Sequence, residues 1–313
     1  MSGKNAINAI VDLDGTIYRG DRLLDYAKPF FGALEQNGIG YKLFTNCSRR
    51  TPAELAADLR GMGLDARESD IVTTGCIARS YIRGAGESAM KAAAGSAMGT
   101  ARGSAMEATA ESAMEAAGGA GGAAAWETAR AKIGGRALVY AIGSDSFKRR
   151  IKADNAELAE NPGLVADYAV VGFCTDFTYG DLSRAMWHID GGARFIATNL
   201  DETIPFGRGA VPHTGAICAF LERASGQKPI NLGKPSRLAG EYFRGVFGQK
   251  RVFVVGDRID TDMLFAENNG FAGCLVLTGI ATRRDAESLE RRSFDIFADL
   301  RGLSEFLARH SEG

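Results

Sequence analysis

Short apolar runs alternate with longer amphipathic stretches along most of this chain. The runs 7–13 and 252–255 are largely apolar and stop at polar residues, which is typical of buried strands. Thr51-Pro52-Ala53-Glu54 has the residues of a helix start, with Thr as the N-cap, Pro first and Glu third. The same reasoning predicts strands at 41–44, 71–73, 137–142, 168–173, 195–198 and 274–277, and helices at 26–36, 145–153, 182–189, 215–224, 238–247 and 261–268. This repeated strand–helix order predicts an α/β fold, with parallel sheets covered by helices on both faces.

One segment breaks this alternation. Residues 84–125 are almost entirely Ala, Gly, Ser, Met and Glu, and Ser-Ala-Met recurs every eight residues between positions 88 and 114. Eight residues turn an α-helix about 80° beyond two full turns, so the methionines would not line one face. The segment has no aromatic or branched apolar residue to bury, so we interpret it as a low-complexity insertion.

Composition and charge argue against several classes of partner. The formal net charge is −1 over 313 residues, so no global basic field exists to bind nucleic acid or an acidic membrane surface. The first residues lack the apolar stretch of a signal peptide, and no apolar run approaches the roughly 20 residues that cross a bilayer. The five cysteines form no CxxC pair, which is typical of buried thiols rather than of a zinc site or a disulfide framework. We therefore expect a cytoplasmic protein without nucleic-acid or membrane partners.

Four polar clusters follow predicted strands or occupy loops between elements. They are Asp12 with Asp14, Thr45 with Asn46, Lys234, and Asp257 with Asp260 and Asp262. In open parallel sheets, ligands bind beyond the carboxyl ends of the strands. Carboxylates brought together there favour a hard divalent cation such as Mg²⁺, whose usual ligands are a few carboxylates, waters and a phosphate. A lysine and neutral hydrogen-bond donors nearby would suit a phosphoryl group.

Each cluster also has a plainer interpretation. Asp12-Leu13-Asp14-Gly15 could be a simple turn, Thr45-Asn46 could cap a helix, and Gly233-Lys234-Pro235 could be an ordinary loop. Their joint occurrence in this order, each at a strand end or in a loop, favours phosphoryl chemistry over coincidence.

These motifs strongly resemble those of the haloacid dehalogenase superfamily, and most closely its class IIA capped phosphatases, the NagD, p-nitrophenylphosphatase and phosphoglycolate phosphatase-like group. The stretch 12–16, Asp-Leu-Asp-Gly-Thr, resembles the first motif, Thr45-Asn46 the second, Lys234 the third, and 256–262 the fourth. Cys47 departs from the pattern, because relatives usually carry a second Asn there. The resemblance covers essentially the whole chain except the insertion.

The resemblance implies a role for each matched residue. Asp12 would be the nucleophile that forms an aspartyl-phosphate, and Asp14 would protonate the leaving oxygen and then activate water. Mg²⁺ would be the cofactor, and phosphate contacts would come from the core motifs. The implied metal ligands are Asp12, Asp14, Asp257 and Asp262, and the implied phosphate-binding residues are Leu13, Thr45, Asn46 and Lys234. Superfamily dehalogenases lack the second Asp, so Asp14 favours a phosphatase.

The resemblance also implies a domain organisation. A Rossmann-like, doubly wound core would span 1–82 and 202–313, and an α/β cap of the C2 type would be inserted at 83–201. The 84–125 insertion would then lie at the first core–cap linker. The expected partner is a small phosphorylated metabolite, and the caps of relatives often mediate dimerisation, which leaves a homodimer open.

Two other functions remain open at this point. A phosphotransferase or phosphomutase would use the same intermediate but deliver the phosphoryl group to another hydroxyl. A metabolite-binding regulator would keep the site without turnover, although every charged catalytic position is present. Hydrolysis of small-molecule phosphate monoesters is the function that the motifs favour.

Overall fold

A computed structural model describes residues 7–84, 136–152, 156–159, 164–206, 209–290 and 293–311. The predicted insertion at 84–125 therefore lies outside the described residues, apart from residue 84. The described strands are β1 Ile7–Val11, β2 Tyr18–Arg19, β3 Arg22–Leu23, β4 Gly40–Thr45, β5 Ile71–Thr73, β6 Ala137–Ile142, β7 Ala156–Leu158, β8 Tyr168–Val171, β9 Arg194–Ala197, β10 Thr203–Phe206, β11 Gly209–Pro212, β12 Ile230–Asn231, β13 Arg251–Gly256, β14 Ala272–Val276 and β15 Phe294–Phe297.

The described helices largely follow the predicted ones. Residues 74–84 are helical, Glu68–Asp70 forms a 3₁₀ turn and Ile259–Met263 a π-type turn. The α-helices are α1 Ala27–Gln36, α2 Pro52–Gly61, α3 Asp145–Lys152, α4 Tyr179–Asp190, α5 Thr214–Ser225, α6 Arg237–Phe247, α7 Leu264–Asn269, α8 Arg283–Glu287 and α9 Leu300–Ser311. The start of α2 has the predicted capping box, in which Thr51 accepts from the Glu54 amide and the Glu54 side chain accepts from the Thr51 amide.

The chain divides into two compact units. The first comprises Met1–Asn46, Arg50–Thr74 and Gly233–Gly313, and the second comprises Cys47–Arg49 and Gly75–Leu232. The sequence prediction assigned 202–232 to the core, whereas this division groups them with the second unit. The physical reason is that β12 pairs with β9, and Ile217, Cys218 and Leu221 of α5 belong to the second unit's apolar core.

The first unit is built on a six-stranded parallel sheet in the order β15-β14-β13-β1-β4-β5. Neighbouring residues of β4 serve its two faces. Leu43 belongs to a core cluster with residues of α1, α2 and α9, whereas Phe44 packs against Phe243 and Phe265 of α6 and α7. Both faces are therefore covered, which explains why every residue of β1 is buried. The predicted doubly wound α/β architecture is confirmed.

The strand order of this sheet reverses between β1 and β13. From β1 the chain proceeds through β4 to β5 on one side, and from β13 through β14 to β15 on the other. Ligands of doubly wound sheets bind outside the carboxyl ends of the strands at such a reversal. The residues that follow β1 and β13 are Asp12 and Asp257.

The second unit contains its own parallel sheet, in the order β12-β9-β8-β6-β7. Its core contains Val171 and Ala197 from the strands, Ile189 from α4 and Leu221 from α5. An antiparallel hairpin, β10–β11, also belongs to this unit. Within the described residues of both units, no helix combines the length and the apolar character needed to cross a membrane.

Candidate active site

Two acidic residues lie side by side where the first unit's sheet reverses its order. The Asp12 amide donates to the Val255 carbonyl at 2.8 Å, which extends the pairing of β1 with β13 by one residue. Asp257 follows β13 directly and is almost wholly buried, whereas the Asp12 side chain keeps 14% of its surface exposed. The apolar runs that precede both residues thus deliver two carboxylates to one end of the sheet.

Lys234 joins this pair from the loop before α6. Its ammonium group contacts the Asp12 carboxylate, lies 2.6 Å from Asp262 Oδ1 and donates to the Phe44 carbonyl at 3.2 Å. Only 4% of the lysine side chain is exposed. Burial by itself lowers the pKa of Lys234, but the carboxylates of Asp12 and Asp262 outweigh that effect and raise it, so the lysine stays charged.

Asn46 holds the lysine loop through its side chain. Asn46 Oδ1 accepts from the Lys234 amide at 2.8 Å, and Asn46 Nδ2 donates to the Lys234 carbonyl at 3.2 Å. Thr74 Oγ1 donates to the Asn46 carbonyl at 3.2 Å. Thr45 is the last residue of β4 and is half-buried. The structure therefore joins Asn46 to Lys234, and places Thr45, the residue before Asn46, at the end of β4.

Asp262 reaches the site because of an unusual helix start. The predicted helix over 261–268 begins instead with a π-type turn, in which the Met263 amide donates to the Arg258 carbonyl at 3.1 Å. Asp262 Oδ2 in turn accepts from the Arg258 amide at 3.2 Å. A Cβ atom at Gly256 would overlap the Asp262 carboxylate, so only glycine fits at the end of β13.

One oxygen from each of Asp12, Asp257 and Asp262 lies within 4.8 Å of the others. Burial, followed by Asp262 and Asp257, raises the pKa of Asp12 to about 8 against the lowering effect of Lys234. Burial and Asp262 likewise raise the pKa of Asp257 to about 6. With all three ionised, these carboxylates would carry three negative charges beside the single positive charge of Lys234, and the raised pKa values of Asp12 and Asp257 reflect their burial and this crowding. This hard-oxygen donor set fits a divalent cation such as Mg²⁺, which would remove the repulsion.

Asp14 lies in the turn between β1 and the β2–β3 hairpin. Its side chain is exposed, and its backbone forms an isolated bridge with Tyr18. Although the residue is exposed, the protein around the Asp14 carboxyl removes part of its hydration and raises its pKa, while the Gly15 amide and Arg19 lower it. Leu13 is fully buried, and its carbonyl accepts from the amides of the returning turn, so any phosphate contact of Leu13 would come from its main chain.

The sequence reasoning missed one loop of the site, which follows β14. The Ile280 amide donates to Asp257 Oδ2 at 2.7 Å, and Thr16 Oγ1 lies 3.4 Å from Asp257 Oδ1. A Cβ atom at Gly279 would overlap the Asp257 carboxylate. The available signal was the position of Thr278-Gly279 just after the strand that neighbours β13, since strand ends had already located the other groups.

Comparison with protein families places the chain among known hydrolases. Residues 9–111 match a family model described as haloacid dehalogenase-like hydrolase, and residues 231–303 match a second one described as HAD-hydrolase-like. An acid sugar phosphatase of Staphylococcus aureus is 30% identical to the chain over 281 residues, which is 89% of each protein. The two family matches contain every site residue named above.

Solved structures show the same architecture. A 4-nitrophenylphosphatase from Thermotoga maritima superposes with a TM-score of 0.74 at 27% identity, covering 96% of this chain and 97% of that one. A glycerol phosphate phosphatase from Mycobacterium tuberculosis, solved in complex with magnesium, gives 0.73 at 26% identity, covering 97% and 78%. The similarity therefore extends through both units.

Proposed function

Since the chain belongs to the haloacid dehalogenase-like hydrolases and is a phosphatase of that superfamily, we propose that it hydrolyses small phosphate monoesters in a Mg²⁺-dependent reaction through an aspartyl-phosphate on Asp12. The single observation that carries this proposal is the position of Asp12. It is the most accessible of three clustered carboxylates, and it contacts a buried lysine that can neutralise charge beside it. A nucleophile for phosphoryl transfer needs this combination of access and charge compensation.

In the first step, a carboxylate oxygen of Asp12 attacks phosphorus and the ester P–O bond breaks. Asp14, in its protonated form, gives its proton to the leaving oxygen and so releases an alcohol. Partial burial raises the pKa of Asp14, which increases the protonated fraction needed for this role. Lys234 offsets the charge on the phosphoryl oxygens, with Thr45, Asn46 and the Leu13 main chain as further phosphate contacts.

In the second step, the Asp14 carboxylate takes a proton from water, and the resulting hydroxide attacks phosphorus. The P–O bond to Asp12 breaks, which yields inorganic phosphate and restores the Asp12 carboxylate. A bound Mg²⁺ would supply charge neutralisation and orientation for the phosphoryl group. Asp12, Asp257, Asp262 and the Asp14 main chain are the proposed groups that hold it, and the relative solved with magnesium supports Mg²⁺ as the ion.

The substrate class that we propose is small phosphorylated metabolites, including sugar phosphates. Support comes from the similar acid sugar phosphatase and glycerol phosphate phosphatase, whose names describe small alcohol phosphates. We further propose that the second unit acts as the cap of this catalytic unit. A cytoplasmic location fits the five cysteines, all within the described residues and none in a disulfide, because thiols persist in a reducing compartment. Cell fractionation that recovered the protein outside the cytoplasm would contradict this location.

A phosphatase assay tests the proposal directly. The purified chain should release p-nitrophenol and inorganic phosphate from p-nitrophenyl phosphate with Mg²⁺, and lose this activity in excess EDTA. Asp12→Asn should remove turnover while leaving the circular dichroism spectrum unchanged. Transfer of the phosphoryl group to an added alcohol in preference to water would indicate a phosphotransferase. Folded protein that binds phosphorylated metabolites without turnover would indicate a regulator, and either result would overturn the proposed hydrolysis.

A further inference from the structure

The loop after β14 also reaches the turn that carries Asp14. Thr278 Oγ1 donates to the Gly15 carbonyl at 2.8 Å, and the Arg19 guanidinium donates to the Thr278 carbonyl. Thr278 is thus bonded through its side chain and its main chain to the two ends of the segment that follows Asp14. Both bonds join parts of the chain more than 250 residues apart in sequence.

The same loop fixes the carboxylate of Asp257. The Ile280 amide donates to Asp257 Oδ2 at 2.7 Å, and the Ala281 amide donates to the Asp257 carbonyl at 3.0 Å. Gly279, between these contacts and Thr278, has no room for a side chain on the Asp257 side. The short loop after β14 therefore contacts both Asp257, a candidate metal ligand, and the turn that carries Asp14.

Other contacts also hold the Asp14 turn: Thr16 Oγ1 lies 3.4 Å from Asp257 Oδ1, and the Leu13 carbonyl accepts from the amides of Thr16, Ile17 and Tyr18. Its local bonds also include the Gly15 amide to the Tyr18 carbonyl at 2.7 Å and the bridge between Asp14 and Tyr18. Gly15 has a φ of +82°, and a Cβ there would lie 2.6 Å from Asp257 Oδ2, so the turn is close-packed against that carboxylate. Local bonds set the shape of the turn, and the bond from Thr278 anchors the Gly15 carbonyl, next to Asp14, to the loop after β14.

We propose that Thr278 is a positioning residue that fixes the Asp14 turn for proton transfer to the leaving oxygen. This inference rests on the proposed role of Asp14 as the general acid. Loss of the Thr278 hydroxyl frees the Gly15 carbonyl and lets the neighbouring Asp14 carboxyl move away from the leaving oxygen. Because positioned acid–base groups contribute about 10²- to 10⁴-fold to rate, a partial displacement should remove about tenfold.

The leaving group provides a readout that a merely structural role would not change. p-Nitrophenolate leaves without a proton, whereas phenolate, a more basic leaving group of nearly the same shape, needs one more strongly. The ratio kcat/KM reports the steps through cleavage of the ester bond. Thr278→Val should therefore lower kcat/KM about tenfold for phenyl phosphate and less than about threefold for p-nitrophenyl phosphate.

Three further variants complete the experiment. Thr278→Ser keeps the hydroxyl and should restore phenyl phosphate hydrolysis to within about threefold of the original chain. Thr282→Val is the matched control, because Thr282 caps α8 through the Asp285 amide and should lose stability without leaving-group selectivity. Asp14→Asn is the reference. It should discriminate against phenyl phosphate in the same direction as Thr278→Val, with a larger loss of kcat/KM for that ester.

The outcomes separate this inference from the function on which it rests. If Asp14→Asn discriminates between the two esters but Thr278→Val lowers both equally or neither, Thr278 has no positioning role and the role of Asp14 stands. Selectivity of the same size in Thr282→Val would also overturn the inference, because general loosening would explain it. If Asp14→Asn itself shows no leaving-group selectivity, the proposed role of Asp14 is wrong and the inference falls with it.

Discussion

Replacing Lys234 with Met isolates the charge that holds the carboxylate cluster together. Methionine keeps much of the length and volume of the lysine stem but removes the ammonium group. That group is 4% exposed and lies between the Asp12 and Asp262 carboxylates. The substitution therefore leaves two carboxylates facing each other with no buried cation between them.

The size of the effect follows from the geometry. At 2.6 Å, the attraction between Lys234 and Asp262 is about 6 kcal/mol with an effective dielectric constant of about 20. Removing the ions from water offsets much of this attraction, and deleting one partner of a buried pair typically costs about 3–5 kcal/mol. We expect Lys234→Met to lower the free energy of unfolding of the first unit by about 3–5 kcal/mol in EDTA. Domains are typically stable by about 5–15 kcal/mol, so the variant should remain folded.

Magnesium should reverse part of this loss. A cation held by Asp12, Asp257 and Asp262 restores positive charge beside the carboxylates that the substitution leaves unpaired. Mg²⁺ should therefore raise the unfolding free energy of Lys234→Met by more than it raises that of the original chain. Turnover should stay low even with Mg²⁺, because the phosphoryl group loses its lysine contact.

Native-state amide hydrogen exchange measures the first unit separately from the second. Peptides that contain β1 and β13 report its unfolding free energy, with EDTA and with Mg²⁺. Lys250→Met is the matched control, because Lys250 is exposed next to β13 and should change exchange by less than about 0.5 kcal/mol. A loss below about 1 kcal/mol for Lys234→Met in EDTA, or an equal response of both chains to Mg²⁺, would refute the electrostatic reasoning.

Two further predictions concern sterics and pH. Gly279→Ala should push the Asp257 carboxylate aside and raise the Mg²⁺ concentration for half-maximal activity about 10- to 100-fold. Gly245→Ala is the control, because a Cβ there meets open space in α6 and should leave Mg²⁺ activation unchanged. Unchanged Mg²⁺ activation in Gly279→Ala would contradict the steric argument. Burial, the leading cause in each case, lowers the pKa of His188 and His213, so the stability that depends on their neutral rings is complete above the ordinary pKa of 6.5 and is lost as pH falls below it. NMR titration should place both rings below 6.5, and exchange in the second unit should accelerate between pH 7 and 5 beyond the change in intrinsic rate; a ring titrating above 6.5 would contradict this.

Much of the first unit could be predicted because its signals are local. The apolar runs of β1 and β13 end at charged residues, and the Thr51 capping box is complete within four residues. The carboxyl ends of parallel strands share one edge of the sheet, so the clusters after β1 and β13 could be placed together from the sequence alone. The contacts among Asp12, Asp257, Asp262 and Lys234 agree with that expectation.

Other features depend on contacts that no local pattern records. The strands β2 and β3 have two residues each, which is too short for an alternating pattern, and they were not predicted. The helix at 214–225 was predicted, but its packing on the second unit's sheet depends on distant apolar partners. The loop after β14 contributes the Ile280 amide, the space left by Gly279 and the Thr278 hydroxyl. In the sequence, these three residues look like an ordinary turn.

The central claim is that Asp12 carries the phosphoryl group, and trapping that group tests it most directly. Asp14→Asn with p-nitrophenyl phosphate and Mg²⁺ should accumulate the intermediate, since the leaving group needs no proton while the attacking water lacks its base. Borohydride reduction after rapid quenching should convert residue 12, and no other aspartate, to homoserine in the mass spectrum, with no conversion in Asp12→Asn. Turnover without reduction at residue 12, or reduction at another residue, would contradict the account.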